Sequence, residues 1–447
     1  MKIATIILAA GQGTRMKSDL PKVLHQLNGK ALVQYSIQAA AGLHSEKTVV
    51  VIGNGSEQVQ QVVGSQAQFA HQTERLGTAH AVLAAEDALK GFKGLVVVIS
   101  ADMPLLTAGT LRNLVEKQTA NPGPLTLLTV CCGNPRGFGR ILRGEDGAVI
   151  GIIEEAQASP EQLMINELNV GAYCFNGAWL WPSLEKIGLS PKGEYYLTDI
   201  VSVAVAEGLR VQALMVQDEE ETLGINNRVH LAEAERVLRR RINQGYMLSG
   251  VTMIDPERVY IEDTVEIGQD TVILPNTRLI GSTKIGSGCE IGPDTIISDS
   301  TIGNHCHLLA SVIESAVVED EVGMGPFCHL RKGAHLGRGV HMGNFGEVKD
   351  SHLHAGVKMG HFSYIGNAEI GEDVNIGAGT ITCNYDGQHK HPTEIGEGAF
   401  IGSDTMLVAP LKIGRGAKTG AGSVVTHDVG DYEVVAGVPA KPLKKKE

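Results

Sequence analysis

The stretch IEDTVEIGQDTVILPNTRLIGSTKIGSGCEIGPDTII, residues 261–297, has an aliphatic residue at every sixth position. A small or branched residue stands two positions before most of these, and residues two apart in a strand point to the same face. A six-residue period fits neither an α-helix nor a hairpin sheet, but it fits a solenoid of triangular coils. The series consists of Ile261, Ile267, Ile273, Leu279, Ile285, Ile291 and Ile297.

The period extends well beyond this stretch, because it returns at Ile370, Ile376, Ile395, Ile401, Leu407 and Ile413. Residues 251–430 therefore predict about ten coils of roughly 18 residues around one continuous core. A β-sandwich would not keep so strict a spacing. The phase is predicted to break over residues 319–358, which are rich in His, Gly and charged residues, and such a break is where chemistry is expected.

The first half of the chain follows a different pattern. Residues 1–226 alternate apolar strands with helical segments, which predicts a Rossmann-like α/β domain with a mostly parallel sheet. A linker helix is predicted over 227–250 and the solenoid over 251–447. The predicted strands cover 3–9, 48–52, 95–100, 125–130 and 210–215, and the predicted helices cover 31–42, 78–89, 197–207 and 226–247.

Composition narrows the class of protein. The 447 residues include 38 Lys and Arg against 50 Asp and Glu, a net charge of −12, which argues against non-specific nucleic-acid binding. The basic run 444–446 is predicted to be a solvated tail. Seven cysteines without a Cys-x-x-Cys spacing indicate neither a disulfide framework nor a zinc ribbon, and they favour a reducing compartment.

No membrane or export segment is predicted. The apolar residues 3–10 run directly into a glycine-rich segment, which is typical of a buried first strand and not of a secretory signal. No apolar run approaches the roughly 20 residues of a membrane helix. We therefore expect a soluble cytoplasmic protein without membrane insertion.

A glycine-rich loop follows the first predicted strand. Gly11 and Gly13 would let backbone N–H groups approach phosphates closely, while Arg15 and Lys22 bring two cations to the same place. The loop is neither a dinucleotide fingerprint, since Met16 replaces the third glycine, nor a Walker loop, since no Gly-Lys-Ser/Thr follows.

The longer string LAAGQGTRM at 8–16, with Leu-Pro-Lys at 20–22, resembles the signature of sugar-nucleotide pyrophosphorylases. Further strings occur in the matching order: QTERLGTA at 72–79, ADMP at 101–104, GFGR at 137–140, EYY at 194–196 and GINN at 224–227. Together they resemble the bifunctional N-acetylglucosamine-1-phosphate uridyltransferase and glucosamine-1-phosphate N-acetyltransferase family. The resemblance covers nearly the whole chain.

This resemblance implies that a sugar-phosphate oxygen attacks the α-phosphorus of UTP, with catalysis by alignment and charge neutralisation. It assigns the phosphates to Arg15 and Lys22, and Mg²⁺ to Asp102 and Asn226. Taken singly, Asp102 could instead cap the next helix and Lys22 could be a surface lysine. The family more often has an aromatic residue and Gly where Ser100 and Ala101 stand. Contacts with UTP and the UDP-sugar are implied for Ala10, Gly11, Lys22, Gln72, Gly77, Thr78, Gly139, Glu154, Asn169 and Asn226.

The strings RKG at 331–333, NFGEVK at 344–349, GHFSYIG at 360–366 and NIGAGTITCNYDG at 375–387 match the acetyltransferase half of the same family. They imply acetyl transfer from acetyl-CoA to glucosamine 1-phosphate on a left-handed parallel β-helix of hexapeptide repeats. They also imply a homotrimer with its active sites between neighbouring prisms.

Histidine suits a base working near neutral pH, so His361 is the candidate base, with Glu347 orienting it or the amine. By resemblance, the phosphate and sugar of glucosamine 1-phosphate contact Arg331, Lys349, Tyr364, Asn375 and Lys390. Acetyl-CoA is assigned in the same way to Asn384, Tyr385, Ser403 and Ala421. Some relatives carry an arginine at the position of Gly437.

Several other interpretations stay open at this point. His352, His354 and His361 could suggest a metal site, but no Cys or carboxylate shares their spacing, so surface histidines are favoured. Cys383 is interpreted as a packed thiol and not a nucleophile. The nucleotide or sugar could differ from UTP and N-acetylglucosamine 1-phosphate, or the solenoid could be a passive trimerisation module. In relatives, UDP-N-acetylglucosamine feeds bacterial cell-wall synthesis, including peptidoglycan and lipopolysaccharide.

Overall fold

A computed structural model describes residues 2–53 and 56–443. The chain forms two compact units, Met1–Val237 and Leu238–Glu447, and the division falls inside the helix Arg228–Leu248. The boundaries at 226 and 250 stay predictions. The basic run 444–446 lies outside the described residues. Within the described ranges, no helix is both long and apolar enough to cross a bilayer.

The first unit is built on one mostly parallel sheet, which confirms the predicted α/β class. Glu167–Asn176 runs antiparallel to both of its neighbours in the sheet order. The hairpin Arg140–Arg143 and Val149–Ile153 pairs with this strand off the main order. The strands lie in the order Gln212–Met215, Leu125–Cys131, Glu167–Asn176, Leu95–Ser100, Ile3–Leu8, Lys47–Ile52 and Gln68–His71.

The sheet brings the loops of the first site to one edge. Ile3–Leu8 and Leu95–Ser100 are parallel neighbours with Leu8 opposite Ser100. Both strands are buried on both sides, which explains their almost unbroken aliphatic sequences. The glycine-rich loop and the segment containing Asp102 therefore leave the sheet side by side, at the carboxyl ends where parallel sheets bind ligands.

Helices pack on the sheet, and two predicted helices are shorter than expected. The segment predicted over 78–89 is helical only over Thr78–Leu83, because Ala85 and Glu86 donate to carbonyls three residues back and close a tight turn. The segment predicted over 197–207 begins as a 3₁₀ turn, Leu197–Asp199. The other helices of this unit are Leu32–Gly42, Glu57–Val63, Ala108–Ala120, Pro160–Leu163, Gly177–Leu184 and Ile200–Ala206.

The second unit is a left-handed parallel β-helix with three faces, as predicted. The first face contains Thr252–Met253, Val272–Ile273, Glu290–Ile291, His307–Leu308, Gly323–Met324, His341–Met342, Lys358–Met359, Asn375–Ile376, Phe400–Ile401, Lys418–Thr419, Val434–Ala436 and, antiparallel, Lys441–Pro442. The second contains Tyr260–Ile261, Arg278–Ile280, Ile296–Ser298, Val312–Glu314, His329–Leu330, Gly346–Lys349, Ser363–Gly366, Ile381–Cys383, Met406–Val408 and Val424–Val425. The third contains Glu266–Ile267, Lys284–Ile285, Thr301–Ile302, Val317–Val318, Ala334–Leu336, Ser351–Leu353, Ala368–Ile370, Thr393–Ile395 and Leu411–Ile413.

The predicted aliphatic series forms the core of this prism. Six of its seven members are at most 4% exposed. Ile267, in the first strand of the third face, is half-buried. The residues two positions earlier also point inward, which places Cys289, Cys306 and Cys328 inside the prism.

Coils do shorten within the region 319–358 where a phase break was predicted, because Ala334 pairs with Ser351 and His341 with Lys358, but the departure from an 18-residue repeat begins before it. Coils shorten earlier, since Lys284 pairs with Thr301 and Ile296 pairs with Val312. Within the predicted region the inward pattern continues, because the corners between faces absorb the missing residues. The largest departure comes later, where a loop over residues 384–391 projects from one coil and the bridge between Tyr385 and Lys390 closes it.

Candidate functional sites

One cavity of about 470 Å³ in the first unit gathers the predicted nucleotide, sugar and metal residues. It lies over the carboxyl ends of the central parallel strands. Of the positions predicted from the sequence, those lining it are Ala10, Gly11, Lys22, Gln72, Gly77, Thr78, Asp102, Gly139, Glu154, Asn169 and Asn226.

The glycine-rich loop positions the lysine of this cavity. Gly13 has a φ of 64°, and a Cβ at this position would lie 2.4 Å from the Cβ of Lys22. The bare glycine therefore allows Lys22 to pack directly against the loop. The Lys22 Nζ donates to Asp102 Oδ2 at 2.5 Å, with both side chains largely buried.

The second cation of the loop contacts the other predicted metal ligand. The Arg15 Nη2 donates to Asn226 Oδ1 at 2.8 Å. The backbone N–H of Ile225 donates to the Asp102 carbonyl at 2.8 Å, which fixes the two ligand-bearing segments against each other. One carboxylate and one amide oxygen, each next to a cation, thus form the polar end of the site.

A second part of the cavity is built around a glycine turn. The Gln72 Nε2 donates to the Gly77 carbonyl at 3.0 Å, and Thr78 Oγ1 accepts from the Leu197 N–H at 2.9 Å. Gly77 has a φ of 102°, and a Cβ there would lie 2.4 Å from the Tyr195 carbonyl oxygen. Only glycine fits this turn, which holds Gln72 and Thr78 in place.

The opposite wall combines an amide with a carboxylate. The Asn169 Nδ2 donates to the Tyr173 hydroxyl oxygen at 2.8 Å, and the Asn169 N–H donates to the Gly139 carbonyl at 2.8 Å. Glu154 Oε1 accepts from the Thr198 hydroxyl at 2.9 Å. Burial raises the pKa of Glu154, since its charged form loses water.

Glu154→Gln is expected to raise the melting temperature by a few degrees at pH 8 while weakening the nucleotidyl transfer predicted for this cavity. Because the pKa of Glu154 is raised in the fold, its contribution to stability is greatest at low pH and is lost as the pH rises through that pKa. A neutral amide suffers no such loss. Thermal unfolding of both proteins from pH 4 to pH 8 should show the difference widening with pH, whereas a constant difference would contradict this account.

The cavity also has lining residues that the sequence did not single out. Arg75 adds a cation to the lining of the cavity. Its position directly before Leu76-Gly77, in a string that carried the resemblance, could have indicated this role from the sequence. Phe138, Glu194 and Tyr196 lie in strings that carried the resemblance but had no role assigned to them. Thr198 could not be found from sequence, because it reaches the cavity through a 3₁₀ turn that was predicted as helix.

Within the second unit, three cationic side chains lie close together: Arg331, Lys349 and Lys390. Contact with the Lys390 ammonium, followed by the charges of Lys390 and Arg331, lowers the pKa of Lys349. Arg331 and Lys349 directly follow inward residues of the second face in consecutive coils, and Lys390 belongs to the projecting loop. Like charges at such close range favour an anionic ligand.

Glu347 and Tyr364 lie near Arg331. The Arg331 Nη1 donates to Glu347 Oε1 at 2.9 Å, and Glu347 is paired with Tyr364 across adjacent coils. Among the described residues, no hydrogen bond joins Glu347 to His361. The partner of Glu347 here is therefore Arg331, and its predicted role in orienting the histidine has no direct contact to support it.

His361 lies at the corner between the first and second faces, two residues after Met359, and it is exposed. Met359 is paired with Ile376, and Ile376 with Ile401, in successive coils. Ser403 and Ala421 follow their own first-face strands by the same two residues. The predicted base and two predicted acetyl-CoA residues therefore form one column along this corner.

The other residues predicted to contact the amino sugar or acetyl-CoA lie on either side of the second face. Asn375 lies on the first face, while Asn384 lies at the corner between the second and third faces. The Asn384 Nδ2 donates to Asn367 Oδ1 at 2.7 Å. Tyr385 is exposed on the projecting loop. The second face thus separates the histidine column from the cationic cluster.

The predicted interpretation of Cys383 agrees with its environment. The thiol is half-buried, and burial raises its pKa, so the reactive thiolate is disfavoured. The thiol makes a weak contact with the Ile381 carbonyl at 4.0 Å.

Two family models match the chain. Residues 5–140 match the MobA-like NTP transferase domain, and residues 264–299 and 392–427 match the bacterial transferase hexapeptide of six repeats. Together with the two sites, these matches define a nucleotidyltransferase joined to a hexapeptide-repeat acyltransferase.

Relatives extend over almost the whole chain. The bifunctional protein GlmU of Streptococcus thermophilus strain CNRZ 1066 is 47% identical over 433 residues, covering 97% of this chain and 94% of its own. Its counterpart in Streptococcus agalactiae serotype V is 45% identical, covering 95% and 93%. That of Trichlorobacter lovleyi is 46% identical, covering 95% and 94%. The chain belongs to the bifunctional GlmU family.

The chain is accordingly an enzyme with two activities in UDP-N-acetylglucosamine synthesis. One transfers acetyl from acetyl-CoA to glucosamine 1-phosphate, and the other transfers uridylyl from UTP to N-acetylglucosamine 1-phosphate with release of pyrophosphate. A passive trimerisation module is therefore the wrong description of the β-helix.

Proposed function

We propose that the cavity of the first unit is the uridylyl-transfer site and that its residues act by position and charge. The single observation that supports this is that all ten residues predicted to contact UTP and the UDP-sugar line one cavity, while Arg15, outside that lining, donates to the lining residue Asn226. Arg15 and Lys22 bind the phosphates of UTP and neutralise the charge that develops on the departing pyrophosphate. Gln72 and Thr78 contact uracil, and Glu154 and Asn169 contact the sugar.

Asp102 and Asn226 fit a magnesium site. Each offers one hard oxygen, lines the same cavity and neighbours a phosphate-binding cation. Mg²⁺ held there would supply positive charge that offsets the charge of the phosphates. Because Lys22 and Arg15 donate to these oxygens, a metal there would need both cations to turn towards the phosphates, which would couple metal binding to UTP binding.

The second face of the β-helix is proposed as the acetyl-transfer site. Arg331, Lys349 and Lys390 bind the phosphate of glucosamine 1-phosphate, as their close approach supports. His361 removes a proton from the sugar amine as the amine attacks the thioester of acetyl-CoA. The coenzyme lies along the corner column past Ser403 and Ala421. Tyr364, Asn375, Asn384 and Tyr385 complete the contacts.

A homotrimer would enclose this open face. Phe327, Phe345 and Phe362 are 61%, 58% and 56% exposed and occupy the corner next to His361 in successive coils. The rings of Phe327 and Phe345 stack with centroids 5.3 Å apart. An exposed aromatic column of this kind favours burial against a second copy of the chain, which would add a wall to the site.

We assign the enzyme to the cytoplasm. All seven cysteines are free thiols, which suits a reducing compartment, and UTP and acetyl-CoA are cytoplasmic metabolites.

Incubating the enzyme with glucosamine 1-phosphate, acetyl-CoA, UTP and Mg²⁺ is expected to give UDP-N-acetylglucosamine, CoA and pyrophosphate, resolved by mass spectrometry. Without acetyl-CoA, the uridylylated product should fall by about 10²-fold, because Glu154 and Asn169 would meet a sugar without its acetyl group. Supplying N-acetylglucosamine 1-phosphate should restore it. Rapid formation of UDP-glucosamine, or a preference for another triphosphate, would contradict the proposed order and substrates.

A further inference from the structure

Two imidazoles and a carboxylate meet on the third face of the β-helix, away from the second face. His352 belongs to the strand Ser351–Leu353 and His354 follows it directly. Glu369 lies on the strand of the next coil, where its backbone is paired with that of His352. We call His352, His354 and Glu369 the histidine cluster.

The spacing of these side chains is that of ligands around one ion. Glu369 Oε1 lies 3.3 Å from His352 Nδ1 and is also in hydrogen-bond contact with His354 Nε2. All three candidate ligand atoms lie within 4.8 Å of one another. Two ligands about 2.1 Å from a tetrahedral ion are about 3.4 Å apart, so small side-chain rotations would place all three on one metal.

The donor set selects the class of metal. Two nitrogens and one carboxylate oxygen suit a first-row transition ion such as Zn²⁺, whereas Mg²⁺ prefers oxygen alone. Each of the three side chains is between 29% and 56% exposed, which leaves room for water as a fourth ligand. We propose that the histidine cluster binds a divalent transition-metal ion that links two consecutive coils.

A neighbouring pair supports the cluster from the preceding coil. The ring of His335 stacks on that of His352 with centroids 4.1 Å apart, and His335 Nε2 lies 2.8 Å from Glu319 Oε1. This pair restricts the orientation of the His352 ring, as outer residues do around metal sites.

The sequence favoured ordinary surface histidines here, because no carboxylate shared their spacing. The fold supplies that carboxylate from the next coil, 15 residues after His354. The fold also places His361 at a different corner of the prism. The residues that come together are therefore His352, His354 and Glu369, and not the three histidines considered from the sequence.

The ion should stabilise the β-helix, because the unfolded chain does not hold the three ligands together. Isothermal titration of the untagged full-length enzyme with Zn²⁺ in excess Mg²⁺, which occupies oxygen-ligand sites, should show one ion per chain with micromolar affinity. The melting temperature should rise with Zn²⁺. Co²⁺ should give the visible absorption of a four-coordinate site.

The double variant His352→Asn/His354→Asn should weaken Zn²⁺ binding by about tenfold or more and abolish the rise in melting temperature. His307→Asn is the matched control, because His307 lies 3.4 Å from Glu290 and, in the part of the chain that the structure describes, belongs to no group of three candidate ligands; it should bind Zn²⁺ like wild type. If the double variant does not fold, Glu369→Gln tests the same site. Unchanged binding in the folded variants, or only millimolar binding by wild type, would overturn the proposal.

Discussion

Replacing His361 with alanine is expected to reduce acetyl transfer by about 10²- to 10⁴-fold, the usual contribution of a general base. Uridylyl transfer should stay close to the wild-type rate, because the cavity of the first unit contains none of the residues near His361. The side chain is exposed at a corner of the prism, so its removal leaves no cavity in the core.

The measurement is single-turnover acetylation followed by release of CoA, with uridylylation of N-acetylglucosamine 1-phosphate assayed in parallel. His341→Ala is the control, since His341 is also exposed but lies on the first face one coil earlier. It should retain both activities. The base assignment fails if His361→Ala keeps most of its acetyl transfer, or if both activities fall together in a folded protein.

Replacing Arg15 with alanine should have the reverse effect. We expect uridylyl transfer to fall by about 10²- to 10³-fold, the range for losing one group that stabilises developing charge, while acetyl transfer is unchanged. The variant also frees Asn226, whose Oδ1 accepts from Arg15 at 2.8 Å. The requirement for Mg²⁺ should therefore change along with the affinity for UTP.

Initial rates at varied UTP and Mg²⁺ would separate these two effects. Lys17→Gln is a suitable control, because Lys17 is an exposed cation two residues away and, like Arg15, lies outside the cavity lining, whereas Arg15 alone of the two donates to the lining residue Asn226 among the described hydrogen bonds. Arg15→Lys should keep part of the rate, since the charge is preserved but the fork of donors is lost. Equal losses in Arg15→Ala and Lys17→Gln would point to a general change of surface charge instead.

Much of the fold follows from local rules that a sequence displays directly. The alternation of inward and outward side chains made Ile261 to Ile297 identifiable as the core of a prism, and all but one of them are fully buried. In the first unit, predicted strands such as 95–100 were recognised because a buried parallel strand is apolar throughout. The strand Glu167–Asn176 was missed, since Gly171 and a bulge between Asn169 and Tyr173 interrupt its pattern.

For the two sites as well, the sequence identified many of the residues, whereas the structure was needed to show which of them contact each other. The sequence identified many of the residues that line the cavity proposed for uridylyl transfer, through strings that lie in one order along the chain. It could not show that Lys22 binds Asp102, or that Glu347 binds Arg331 and not His361, because each pair is distant in sequence. Arg75 and Thr198 also line the cavity, and the sequence alone did not identify them.

By itself, the sequence determined the two architectures and the classes of chemistry, because periodicity and loop composition are properties of neighbouring residues. The tertiary structure decided which side chains face each other across coils. Coil length varies at the corners, so the residue above a given position cannot be counted from a fixed repeat. For that reason, only the structure could bring Glu369 to His352 and His354, and Lys390 to Lys349.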